Sequence, residues 1–181
     1  MPNSYCMKSG SKITIIFLLL LIYSLTGCLK QEEFPIEPQI TYNGFLKIQD
    51  STGIDNRGVI EIGYTDGDGD IGLSDSETDP PYDYNLFLTY FEKQNGIFKK
   101  VDVTYFNDST NQFDTLNMNA RIPVLTPQGR HKAIKGIIQD TVFINNPLSA
   151  YDTIRFDIYI KDHALHVSNT VSTQEIVVKK N

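Results

Sequence analysis

The stretch TIRFDIYIKD, residues 153–162, alternates strictly along its length. Ile154, Phe156, Ile158 and Ile160 fall on one face; Arg155, Asp157, Tyr159 and Lys161 fall on the other. A period of two is the signature of a β-strand with one face buried and one wet, because successive side chains in a strand point to opposite sides. Nothing in this stretch repeats at the spacing of three or four that a helix would need.

The same pattern extends outward in both directions. GVIEIGYT, residues 58–65, puts Ile60, Ile62 and Tyr64 on one face. YNLFLTYFEK, residues 84–93, is apolar on both faces, as a central strand would be. NGIFKKVDVTYF, residues 95–106, follows across Asn95-Gly96, a strong hairpin signal. Further β-type runs cover 113–125, 133–144 and 167–179. Seven or eight short strands separated by turn residues predict an all-β domain over residues 42–181, an antiparallel immunoglobulin-like β-sandwich. The chain has no Trp, so the Cys…Trp…Cys signature is missing and "immunoglobulin-like" describes architecture alone. Asp114-Thr115, Asp140-Thr141 and Asp152-Thr153 read as turn ends that open strands.

The first 27 residues have a different character. Lys8 and Lys12 precede ITIIFLLLLI, residues 13–22, and no acid occurs in this region. A basic start, a short apolar core and small residues make a secretory signal peptide; about 20 apolar residues would be needed to span a bilayer. Leu25-Thr26-Gly27-Cys28 directly follows and resembles a bacterial lipobox. That resemblance implies cleavage before Cys28 and lipidation of it, with an ordinary secretory signal and a chance Cys as the other reading. Cys6 and Cys28 are the two cysteines, so the domain itself has none for a disulfide or a thiolate zinc site. Residues 28–41, with Pro35 and Pro38, read as a flexible tether. Lys30, Glu32 and Glu33 resemble the surface-export signals of Bacteroidota lipoproteins, which implies an outer-membrane, outward-facing address, with the periplasmic side as the other reading.

Charge is concentrated in one place. Residues 61–83 hold eight acids and no Lys or Arg, against a net charge of −6 for the whole chain. There is no basic patch to neutralise phosphates, so nucleic acid is not an expected partner. Within this window YTDGDGDIGLSDSETDP, residues 64–80, places Asp66, Asp68 and Asp70 at alternate positions. In an extended segment that spacing turns all three carboxylates to one side. At a separation of 4 Å two such charges repel by about 4 kcal/mol at an effective dielectric of about 20, so a cation is expected to hold them. Carboxylate oxygens suit Ca2+, which accepts six to eight oxygens. Counted from Asp66, Glu77 stands at the twelfth position of an EF-hand loop, but Ile71 stands where such a loop needs glycine, and the flanks are not helical. The segment therefore reads as a calcium loop between strands, with Glu77 as a further candidate ligand and a solvated Asp-Gly turn as the bland reading.

DGDGDIG, residues 66–72, together with DHALHVSN, residues 162–169, resembles a group of uncharacterised Bacteroidota outer-membrane lipoproteins with a single immunoglobulin-like domain. The resemblance implies that Asp162 completes the calcium site from a distant strand end, with Asn169 as a second candidate. A further likeness, of Asp-Ser/Thr-apolar to the O-glycosylation sites of exported Bacteroidota proteins, covers Asp50-Ser51-Thr52 and Asp108-Ser109-Thr110 as well as the Asp-Thr pairs. His163 and His166 lie on opposite faces of a strand, which disfavours a zinc pair, and His131 stands alone in a basic turn. No Gly-x-Ser-x-Gly motif, free domain Cys or phosphate-binding Gly loop is present. The expected function is that of a non-catalytic envelope lipoprotein, anchored in the membrane by lipid, that binds a protein or glycan partner. A small lipid-anchored hydrolase acting on glycans through paired carboxylates is the alternative. Tyr82, Tyr84 and Phe87, beside the acidic loop, are candidate contacts for a partner, with core packing the expected role of Phe87.

Overall fold

The computed structural model describes residues 32–125 and 132–180. The signal peptide, Cys28 and His131 lie outside the described residues. All regular structure among them is β: β1 (Gln39–Gln49), β2 (Asp55–Asp66), β3 (Leu86–Gln94), β4 (Ile97–Lys100), β5 (Thr104–Asn107), β6 (Gln112–Thr115), β7 (Ile134–Phe143), β8 (Thr153–Ile160), β9 (Val171–Ser172) and β10 (Ile176–Val177).

These strands form two antiparallel sheets and one small hairpin. The first sheet runs β1-β2-β7; the second runs β10-β8-β3-β4, with β9 also on β8; β5 and β6 pair only with each other. β9 and β10 pair the same strand at Ile158 and Ile154, so they are two pieces of one broken edge strand. Thr173 sits in the break and still donates its N–H to the Phe156 carbonyl, at 2.9 Å.

Strand β8 shows why the sandwich forms. Ile154, Phe156, Ile158 and Ile160 are fully buried, as the alternation of the sequence predicts. They meet Leu86, Leu88 and Tyr90 of β3 and, from the other sheet, Ile40, Ile60, Ile62 and Val142 in one core. Each fully buried side chain of this size contributes about 1.5–3 kcal/mol relative to exposure, so the two-sheet packing rests on these residues. Tyr90 and Phe156 meet edge to face, with ring centroids 5.5 Å apart.

Several sequence expectations need correction. The run 95–106 is two strands, since β4 leaves β3 at Lys100 and β5 pairs elsewhere. The run 113–125 is strand only at its start; Leu116 to Leu125 instead tie into the core singly, through bonds such as Leu73 N–H to Ile122 O at 3.0 Å. β1 begins at Gln39, so residues 39–41 are paired with β2 rather than part of a tether. Of the three Asp-Thr pairs only Asp152-Thr153 opens a strand; Asp140-Thr141 lies inside β7 and Asp114-Thr115 closes β6. Phe87 is on the outer face of its sheet, stacked on Tyr159 at 4.8 Å, and not in the core.

Candidate metal centre

Asp66 is the last residue of β2 and is completely buried. Its Oδ2 accepts the N–H groups of Asp70, at 2.9 Å, and Ile71, at 3.3 Å, which curls the chain into a tight loop. Gly69, at φ +68°, supplies the left-handed residue that this curl requires. Ile71 and Leu73 then dive into the core at 1% and 3% exposure. Ile71 is thus an anchor that fastens the loop from below, which accounts for an apolar residue where an EF-hand has glycine.

The second half of the site comes from the turn after β8. Asp70 is the dock for this turn: its carbonyl accepts the His163 N–H at 3.1 Å and its Oδ2 accepts the Ala164 N–H at 3.0 Å. Asp162 is 1% exposed and its Oδ1 accepts the His166 N–H at 2.7 Å. Leu165 closes the turn at φ +69°, in the left-handed region that a branched side chain enters only under constraint.

Asp66, Asp68, Asp70 and Asp162 each place a carboxylate oxygen within 4.8 Å of the others. Asp66 Oδ1, Asp68 Oδ1 and Asp70 Oδ1 are buried and have no hydrogen-bond partner. Buried polar atoms are normally satisfied, so three unpaired oxygens in one cluster form a group that could hold a cation. The division of labour within each carboxylate points the same way. In Asp66 and Asp70, Oδ2 is held by backbone N–H groups while Oδ1 stays free.

The electrostatics follow from this crowding. Burial, then the neighbouring Asp68 and Asp70, pushes the Asp66 carboxyl up to about 6. Burial and the Asp162 and Asp68 charges raise Asp70 as well. Without a cation the cluster relieves its repulsion by holding protons or by moving apart. His166 Nδ1 lies 2.8 Å from Asp162 Oδ2, and that contact raises the His166 pKa. An outer partner of this kind orients a ligating carboxylate.

The other candidate ligands have different tasks. Glu77 is not one of the four clustered carboxylates. Its Oε2 accepts both the N–H and the hydroxyl of Ser74, at 2.7 Å each, and its Oε1 lies 2.7 Å from His163 Nε2. These bonds, those to Ser74 first, hold the Glu77 pKa down at about 2. Asn169 faces the other way: its amide pairs with the backbone of Ile40, accepting the N–H at 2.8 Å and donating to the carbonyl at 2.9 Å. His163 and His166 turn to different carboxylates and share no site.

The sequence offers Tyr82 as a partner contact and gives no sign of a role for Arg121. Tyr82 stacks on His163 at 5.1 Å, fastening the acidic loop to the turn after β8 a second time. Arg121 donates to the carbonyls of Ser74, Tyr82 and Asp83, so the acidic segment is bridged by a cation from a distant part of the chain. Composition does not show such backbone-directed bonds. No family model, curated protein or solved structure matches this chain.

Proposed function

We propose that the chain is a cell-envelope lipoprotein whose immunoglobulin-like β-sandwich is stabilised by one Ca2+ ion and acts as a non-catalytic binding or assembly module. The observation that carries the calcium assignment is the convergence of four carboxylates with three orphaned buried oxygens. All donors are hard oxygens, which suits calcium better than the metals that seek thiolate or imidazole ligands. Their oxygens lie within 4.8 Å of one another, and calcium, with flexible geometry at about 2.3–2.6 Å, accommodates such a spread where magnesium demands a near-ideal octahedron at about 2.0–2.1 Å. Four carboxylates leave positions to spare for water in a shell of six to eight.

The role of the ion in this reading is mechanical. Asp66, Asp68 and Asp70 belong to the loop leaving the first sheet, and Asp162 to the turn leaving the second. One ion clamps the two sheets together at that end and neutralises the repulsion between its ligands. The arrangement of three strands against four, with β2 to β3 and β7 to β8 crossing between sheets, supports the immunoglobulin-like assignment. The lipobox-like Leu25-Thr26-Gly27-Cys28 supports the anchor, and Lys30, Glu32 and Glu33 the outward-facing address on the outer membrane.

The test is a calcium titration of the full-length chain in detergent, followed by thermal unfolding. Free calcium at a hundred times the dissociation constant adds about 2.7 kcal/mol, or roughly 5–10 °C for a domain of this size. A melting curve indifferent to calcium and to chelator overturns the reading.

A further inference from the structure

The segment that enters the domain lies directly on the proposed calcium loop. Gly67, between the ligands Asp66 and Asp68, donates its N–H to the Pro35 carbonyl at 2.8 Å. A side chain at Gly67 would run into the carbonyl oxygens of Phe34 and Pro35, so only glycine allows this approach. Three residues on, Pro38 is buried. Ile40 is then gripped through both its N–H and its carbonyl by the Asn169 side chain, which follows the Asp162 turn. Residues 34–40 are therefore bracketed by the two segments that supply the four carboxylates.

We propose that residues 34–38 are a calcium-dependent strap: the bound ion docks them on the loop, and loss of the ion releases them. The inference rests on the calcium reading and extends it to regulation. The physical link is short. Gly67 has a ligand on either side, so the direction of its N–H is set by the position of Asp66 and Asp68. When the ion leaves, four carboxylates with oxygens within 4.8 Å of one another repel and spread. Asp68 is the least tied of the four: backbone N–H groups hold the carboxylates of Asp66, Asp70 and Asp162, and movement of Asp68 carries Gly67 away from Pro35.

The consequence is a change of reach. With the strap docked, residues 29–33 separate Cys28 from the domain and span at most about 18 Å; with 34–38 released as well, the span grows to about 36 Å. Calcium then holds the domain close to whatever carries Cys28, and its removal lets the domain extend.

Hydrogen–deuterium exchange on the full-length chain in detergent, with calcium and with chelator, tests this beside the melting curve. Chelation is expected to speed exchange in the segment 34–42 and at Gly67 by tenfold or more, while Phe156 and Ile158 of β8 stay protected. In Gly67→Ala the segment is expected to exchange fast even with calcium, while the calcium-induced rise in melting temperature persists. If calcium raises the melting temperature but the exchange of 34–42 is the same with and without it, the strap is overturned and the calcium reading stands. If calcium changes neither quantity, both fall. If Gly67→Ala leaves the segment protected, the strap does not dock through Gly67 and the inference fails.

Discussion

Asp162 stands ninety-two residues beyond Asp70, yet their carboxylate oxygens lie within 4.8 Å of each other. Both are held there by backbone: Asp70 receives the Ala164 N–H and Asp162 the His166 N–H. The hydrogen bonds that shape the turn after β8 also aim its carboxylate. The site is thus assembled by the fold, which brings the ends of β2 and β8 together.

Asp162→Asn should therefore weaken calcium more than a loop substitution of equal charge. Asp162 is the one clustered carboxylate that the turn supplies, and an amide in its place removes one anion without changing size. Isothermal titration with calcium is expected to show a loss of tenfold or more for Asp162→Asn. Asp68→Asn is expected to lose affinity as well, but to keep the turn docked through Asp70. Equal affinity in Asp162→Asn and the parent chain would remove Asp162 from the ligand set.

Without calcium the cluster should make the domain weaker as pH rises. The folded Asp66 carboxyl titrates at about 6, above its ordinary 3.8, so between those values the folded chain holds a proton that the unfolded chain has released. Stability from such a group is complete below about 4 and lost as pH climbs through 6, with a slope approaching 1.4 kcal/mol per pH unit. Asp70, also raised, acts in the same direction. Melting in chelator is expected to drop between pH 4 and 6.5, and calcium to abolish the drop because it binds the deprotonated form. Asp66→Asn should flatten the profile in chelator. Asp140, raised by burial, titrates in the same direction, and the drop that survives in Asp66→Asn measures the part that is not Asp66.

Glu77→Gln separates the loop's own brace from its ion. Glu77 caps Ser74 and meets His163, and is absent from the four-carboxylate cluster. The substitution is expected to leave calcium affinity within about twofold and to lower stability slightly, since a neutral amide is a weaker acceptor for the Ser74 N–H and hydroxyl. The contact with His163 is partly exposed and adds little. A tenfold loss of calcium affinity would make Glu77 a ligand, as its position in the sequence suggests.

Much of this was legible in the sequence because it depends on alternation and charge. The four isoleucine and phenylalanine positions of β8 are buried as the period of two requires. The Asp66, Asp68 and Asp70 group is written into adjacent positions, and Asp162 was reached through a likeness between motifs. The illegible parts are those where one side chain replaces a strand. Asn85 pairs with the backbone of Ile122, and Asn169 with that of Ile40, in the manner of a neighbouring strand. An isolated Asn looks like a turn residue in any pattern search. The 113–125 run misled for the complementary reason: its apolar residues reach the core singly, with no ladder to give them a period.

Cys28→Ser tests the anchor independently of the domain. Several acyl chains at one residue hold a protein in a membrane, since each buried methylene contributes about 0.8 kcal/mol. The substitution is expected to move the chain from the membrane to the soluble fraction on cell fractionation, with its calcium response unchanged. Retention in the membrane would mean that something other than Cys28 provides the attachment.

Asn85→Ala probes the amide pairing. Asn85 is 2% exposed; its Oδ1 accepts the Ile122 N–H at 2.6 Å and its Nδ2 donates to the Ile122 carbonyl at 3.1 Å. Alanine leaves the buried Ile122 N–H without a partner, at a cost of about 1–3 kcal/mol, while the Ile122 carbonyl keeps the Leu73 N–H. A loss of about 1–3 kcal/mol in urea unfolding, measured in saturating calcium, is expected. Asn85→Asp keeps the acceptor and discards the donor, while adding a buried charge, so it should be at least as damaging at pH 7 and partly recover in acid as the carboxyl takes a proton. A loss under 0.5 kcal/mol in Asn85→Ala would show that the segment around Ile122 finds its bonds elsewhere and that the amide is not what seats the loop beneath Leu73.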